Sequence, residues 1–201
     1  MITTVLFDLG NVILPFDLLR LARRLAHYSS LTPEEIREKI WDFDVAEAFE
    51  CGRMTPLEFF DHVKKNCRIQ NLTFDEFIPI FNDIFEEDTE IVLLIQTLKP
   101  RYKLGLLSNT NAIHVDYIRQ TYDHLGNFDR ILFSNEAGVR KPDPAFYKIA
   151  LESFAIQPHE SVFIDDNEAN IFSARKLGIH GIRYKDIDQL KAELHEIGVN
   201  L

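Results

Sequence analysis

The sequence is poor in the residues and patterns that mark several protein classes. It has two cysteines, Cys51 and Cys67, in 201 residues, and they share no metal-type or redox-type spacing. Both read as ordinary thiols of a reduced compartment. No apolar run approaches the roughly 20 residues of a membrane span. Met1 to Asp8 offers no basic leader and meets an acidic residue too early for a secretory signal. Basic residues are also scarce, 22 against 32 acidic, and the net charge of −10 disfavours a nucleic-acid partner, which needs a basic surface. There is no internal repeat and no low-complexity tract. The expectation is a cytoplasmic chain, monomer or homodimer, with no nucleic-acid or membrane partner. A small anionic ligand remains compatible, because a local pocket of cations and a metal overrules the global field.

What is present is a globular pattern: 46% hydrophobic and 27% charged residues, at a length that suits one α/β domain with a modest insertion. Val5-Leu6-Phe7 is a β-prone run that ends in Asp8. From about Phe16 to Phe85 the texture is helical: Leu18, Leu21 and Leu25 at helical spacing, then start signals at Thr32-Pro33, Thr55-Pro56 and Thr73-Phe74. Afterwards strands and helices alternate. Strands are expected at Tyr102–Leu107, Ile131–Ser134, Ser161–Ile164 and Ile179–Tyr184, with helices between them and a closing helix over Asp186–Ile197. The expectation is an α/β fold with a doubly wound parallel sheet, core 1–15 and 86–201, and an all-helical cap over 16–85 inserted after the first strand.

Three expected strands end in polar residues: Asp8, Ser108-Asn109 and Asp165-Asp166. Arg140-Lys141-Pro142 lies between the last two expected strand ends. The carboxyl ends of parallel strands line one edge, so these residues should share a crevice. They supply a carboxylate nucleophile, hydroxyl and amide donors, an ammonium and a carboxylate pair, the inventory of phosphoryl transfer through an aspartyl-phosphate. Adjacent carboxylates after an apolar strand repel unless a cation is near.

With Phe7-Asp8-Leu9-Gly10-Asn11-Val12, Leu107-Ser108-Asn109, Lys141-Pro142 and Phe163-Ile164-Asp165-Asp166-Asn167 in order, the chain resembles the haloacid dehalogenase (HAD) superfamily of hydrolases. The helical insertion resembles the family's cap, and the Asp-Leu-Gly-Asn-Val loop resembles bacterial phosphatases of glucose 1-phosphate. The resemblance implies a Mg²⁺-dependent phosphatase of a small phosphorylated metabolite, a sugar phosphate by preference. Asp8 is then the nucleophile, with Asp8, Gly10 (through its carbonyl), Asp166 and Asp165 at the metal. Lys141, Ser108 and the Asn109 amide bind the phosphoryl group. Asn170, one helical turn beyond Asp166, is expected to brace it.

One position departs from the family pattern. The general acid–base carboxylate usually found two residues after the nucleophile is Gly10 here, and such a group contributes on the order of 10²–10⁴ in rate. Weak or absent hydrolysis, leaving a phospho-ligand binding or regulatory protein, is the alternative; a metal-free dehalogenase is disfavoured by Asp165-Asp166. The loop Cys51-Gly52-Arg53 is a candidate to reach the substrate through Arg53. The aromatic-rich insertion should bury most of its phenylalanines, while Trp41 is open between core and substrate side. The seven histidines have no ligand spacing and read as surface or satisfied residues.

Overall fold

The computed structural model describes residues 1–40 and 42–201, so Trp41 lies outside the described residues. β1 (Thr4–Phe7) leads through a short loop into five helices: α1 (Leu18–Ala26), α2 (Pro33–Ile40), α3 (Phe43–Glu50), α4 (Pro56–Asn66) and α5 (Phe74–Asn82). Their starts follow from local chemistry. Thr32, Thr55 and Thr73 each bond the backbone N–H three residues on, and Glu35, Glu58 and Glu76 bond back to the threonine N–H. Each of these reciprocal caps is worth about 1 kcal/mol.

Tertiary packing then fixes the cap. Phe49, Phe59, Phe60, Phe77 and Phe81 are buried with Leu21, Leu25 and Val63 in one cluster, and Phe49 stacks on Phe59 at 4.3 Å. Phe43 stands outside it at 68% exposure, with Arg140 over its ring. The chain enters and leaves this helical region through two paired segments. Asp17 N–H donates to Ile84 O, and Glu86 N–H donates to Pro15 O.

Beyond the cap come α6 (Thr89–Leu98), β2 (Lys103–Ser108), α7 (Ala112–Thr121), β3 (Arg130–Phe133), α8 (Ser134–Ala137), α9 (Pro144–Phe154), β4 (Ser161–Asp165), α10 (Glu168–Lys176), β5 (His180–Arg183) and α11 (Ile187–Glu196). The strands form a parallel sheet in the order β3-β2-β1-β4-β5. Strand periodicity sorts the core. Val5 and Phe7 pack on the face covered by α6, α7 and α11, whereas Leu6, Leu107 and Phe163 pack against α9 and α10. Helices on both faces are the reason the strands read as continuous apolar runs. No described helix is long and apolar enough to cross a membrane.

The expected strand over Ile131–Ser134 ends one residue early. Ser134 instead opens α8, where its hydroxyl accepts from Thr110 N–H at 2.9 Å and donates to Glu50 O at 2.6 Å. Both cysteines are buried free thiols.

Gly105 in β2 is set by close approach. A Cβ there would lie 2.3 Å from the Phe154 ring and 2.6 Å from Leu6. Gly105→Ala should therefore cost about 1–3 kcal/mol by overpacking, read as a lower urea midpoint. Phe154→Leu in the same chain should restore part of that loss; a Gly105→Ala protein as stable as the wild type contradicts the packing account.

Candidate active site

The order β2-β1-β4 puts the ends of three neighbouring strands side by side, with the strand order reversing between β1 and β4. Asp8 extends β1 by one ladder bond, its N–H donating to Ile164 O at 2.8 Å. The chain then turns tightly. Leu9 N–H caps Asp8 Oδ1 at 2.7 Å, Leu14 N–H returns to Leu9 O, and Asn11 takes φ 56°, a left-handed conformation that asparagine tolerates. This turn aims the Asp8 carboxylate out of the sheet edge.

Lys141 occupies the middle. Its side chain is 1% exposed, and Nζ lies 2.7 Å from Asp8 Oδ1, 2.8 Å from Asp165 Oδ2 and 2.8 Å from Leu107 O. An ammonium has three N–H donors, and all three are used. The backbone of Lys141 is held in turn by Asn109, whose Oδ1 accepts Lys141 N–H and whose Nδ2 donates to Lys141 O, both at 2.8 Å.

The two adjacent aspartates have different roles. Asp165 is fully buried and accepts from Asn167 N–H, from Lys141 and from both Asn170 contacts at 3.0 and 3.1 Å. Asp166 is half-buried, and its side chain receives Asn11 Nδ2 at 3.2 Å. Asn170 therefore braces Asp165, not Asp166 as helical spacing suggests. The reason is local: Asn167 caps α10, so Asp166 precedes the helix and the four-residue helical repeat does not reach it.

Charge explains the titration of these groups. Burial pushes the Asp8 carboxyl up to about 7, against the pull of Lys141. Burial also raises Asp166. For Lys141 burial acts downward, but Asp8 and Asp165 outweigh it and hold the ammonium above its ordinary value. One oxygen from each of Asp8, Asp165 and Asp166 lies within 4.8 Å of the others. With all three ionised, one ammonium leaves two negative charges in excess, a donor set of hard oxygens that fits a divalent cation such as Mg²⁺. Asp8 and Asp166 have the oxygens least committed to protein donors, so they are the better pair to hold it.

The other expected residues divide. Ser108 is buried beside Asn109, and both line a cavity of about 330 Å³ between core and cap, as does Gly10. Helix α7 is capped by Asn111, not by Asn109 or Thr110. Arg53 is exposed and paired with Glu47 at 2.6 Å, and it does not line that cavity. Its neighbour Gly52 sits at φ 66°, and a Cβ there would lie 2.3 Å from the backbone carbonyl oxygen of Asn135 in α8. Of the histidines, His114 is buried, with Nδ1 2.9 Å from Asn82 Oδ1, and burial pushes it down to about 3. His124 is buried beside Glu87.

Sequence reasoning misses two features. The Asn109 side chain clamps Lys141, for which the expected amide role gives no hint. Glu50, at the end of α3, lines the cavity and bonds Arg140 at 2.6 Å, joining cap to core; only the neighbouring Lys141-Pro142 motif hints at Arg140.

Residues 2–178 match the haloacid dehalogenase-like hydrolase family. The chain belongs to that family. Among solved structures, a HAD family enzyme from Bacteroides thetaiotaomicron in complex with magnesium and inorganic phosphate is 28% identical, with a TM-score of 0.83 over 94% of this chain and 99% of that one. A drimenol cyclase from Aspergillus calidoustus is 26% identical over 98% of this chain, which spans 37% of its length. A D-ribitol-5-phosphate phosphatase from B. thetaiotaomicron is 23% identical over 89% of each chain. A sesquiterpene phosphatase from Aspergillus oryzae is 23% identical over 75% of this chain and 78% of that one. The shared HAD fold accounts for the five-stranded parallel sheet with its helical insertion.

The excess negative charge makes two stability predictions for metal-free protein in EDTA. Lys141→Met should cost about 3–5 kcal/mol, because it strands buried carboxylates without their cation. Asp8→Asn should leave the chain as stable as wild type or more so. Asp8 binds its proton more tightly folded, at about 7, than at its ordinary 3.8. Its favourable contribution is therefore complete below about pH 4 and is lost as pH rises through 7. The stability difference between Asp8→Asn and wild type should grow in the variant's favour across that window, measured by urea titration at each pH. A pH-independent difference contradicts the burial account of Asp8.

Proposed function

We propose that the chain is a Mg²⁺-dependent phosphatase that hydrolyses a small phosphate monoester through a phosphorylated Asp8. The observation that carries the reading is Asp8 aimed from the sheet edge, held by a buried ammonium beside a second, less committed carboxylate, Asp166. Asp8, Asp166 and the Gly10 carbonyl would hold the metal. When bound, Mg²⁺ neutralises the excess carboxylate charge and polarises a phosphoryl oxygen.

The chain's own residues do the rest. Lys141 pulls Asp8 toward its ionised form and orients it, and Asp165, fixed by Asn170 and Asn167, keeps Lys141 in place. Ser108 and the Asn109 backbone amide bind phosphoryl oxygens at the open end. An Asp8 oxygen forms a bond to phosphorus while the ester P–O bond breaks, its electron pair staying on the leaving oxygen. That oxygen takes a proton from solvent, since Gly10 supplies none. Water then attacks phosphorus, the bond to Asp8 breaks, and phosphate and a free carboxylate result. The helical cap over 16–85 covers the site and excludes bulk water. Sugar phosphates are the class that the Asp-Leu-Gly-Asn-Val resemblance implies, and the ribitol-phosphate relative supports a polyol ester. The walls of the cavity favour a different leaving group.

Phosphate release from a panel of esters should require Mg²⁺ and stop in EDTA. Asp8→Asn should lower it by roughly 10³-fold or more. Release that persists in Asp8→Asn, or that ignores EDTA, overturns the reading.

A further inference from the structure

The cavity that opens at Ser108, Asn109 and Gly10 has an unusual second half for an enzyme of polyol phosphates. Leaving-group recognition of a sugar needs unpaired donors and acceptors on the wall, because hydroxyls left without partners are costly to bury. Here the lining besides Ser108 and Asn109 is mostly apolar and includes Phe16, Leu18, Ala46, Ile84, Phe85 and Ile118.

Several polar side chains of the lining are engaged within the protein, while Thr110, which also lines it, shows no side-chain hydrogen bond. Glu50 is bonded to Arg140. Asn111 Oδ1 accepts from His114 N–H at the start of α7. His114 bonds Asn82 through Nδ1, stacks on Phe81 at 4.3 Å and meets Phe85 edge-on at 4.9 Å. Held at about 3 by burial, its ring is neutral at physiological pH and contributes an aromatic wall.

Phe16 links this lining to the missing acid. A Cβ on Gly10 would lie 3.0 Å from Phe16 Cε1, so even the first carbon of an acid–base side chain requires the ring to yield. An aromatic edge stands beside the position from which such a side chain would start. At about 330 Å³ the cavity is at the small end of the range for small-molecule sites, roughly 300–1,000 Å³.

We propose that this cavity is the leaving-group subsite and takes an apolar, ring-bearing alcohol, so that the substrate is a hydrophobic phosphate monoester and not a sugar phosphate. The proposal rests on the phosphatase reading above and adds the substrate class. The similarity to a sesquiterpene phosphatase is consistent with it, while the similarity to a ribitol-phosphate phosphatase is the competing pointer. The cap supplies Leu18 and Ala46, which makes those two positions determinants of specificity.

The test compares esters of similar leaving-group basicity. Benzyl phosphate is set against glucose 6-phosphate and ribitol 5-phosphate, all primary alkyl esters, with acetyl phosphate as a small activated substrate, in Mg²⁺. We expect kcat/KM for benzyl phosphate to exceed the polyol esters by about 10–200-fold, the range a buried apolar group gives. Leu18→Gln and Ala46→Gln, made separately so that one misfolded variant does not decide the matter, should each reduce the benzyl-to-glucose ratio by roughly fivefold or more. Turnover of acetyl phosphate with polyol esters equal to or better than benzyl phosphate overturns the apolar subsite and leaves the phosphatase intact. A ratio unmoved in folded variants likewise overturns the subsite alone. No turnover of any of these compounds, the acyl phosphate included, overturns the phosphatase reading and this inference with it.

Discussion

A lysine ammonium with almost no contact with solvent is the constraint around which the rest of the structure is arranged. Burying it is tolerable only because Asp8, Asp165 and the Leu107 carbonyl take all three of its N–H groups at 2.7–2.8 Å. These partners come from the ends of β1, β4 and β2, the three adjacent central strands. Sheet order and site are thus one problem with one solution. The Asn109 clamp on the Lys141 backbone and the Asn170 bonds to Asp165 hold the remaining freedom. A side chain with a long flexible stem becomes a fixed charge.

That fixed charge does not finish the balance. Three carboxylates around one ammonium leave the site short of positive charge, and burial expresses the shortage as a raised Asp8. In the proposed function a divalent cation and a phosphate group would complete what the protein leaves open, one relieving the carboxylates and the other meeting Ser108 and the Asn109 amide. The cavity divides along the same line. The lining at Ser108 and Asn109 is polar and belongs to the core, while most of the rest is aromatic and aliphatic and comes mainly from the cap and the linkers. Under the proposed function chemistry and selectivity would fall to different parts of the chain, which are joined by the Glu50–Arg140 pair and by Ser134 bonding Glu50 O.

Much of this was legible in the sequence, and for stateable reasons. Apolar runs closed by Asp8, Ser108 and Asp165 declare buried parallel strands with polar ends, and threonine–glutamate pairs declare the cap helices. Lys141 became meaningful only beside those carboxylates. What could not be read depends on geometry across elements. Helical spacing points Asn170 at Asp166, but the helix starts after Asn167 and the partner is Asp165. Arg53 has the chemistry of a substrate contact, and its pairing with Glu47 is a tertiary detail that its loop sequence does not announce. Gly10 reads as a missing acid; that Phe16 stands against it is a tertiary fact. The apolar wall has no periodic signature because its members come from both linkers, α1, α3 and α7.

The claim on which all of this depends is that Asp8 itself carries the phosphoryl group. Quenching a single turnover in acid, reducing with borohydride and mapping the peptides tests it most directly, because an acyl phosphate at Asp8 is reduced to homoserine and a free carboxylate is not. The account predicts homoserine at position 8 in wild-type protein given substrate and Mg²⁺, and none without substrate. Phosphate release with Asp8 unreduced, or homoserine at another aspartate, would contradict it.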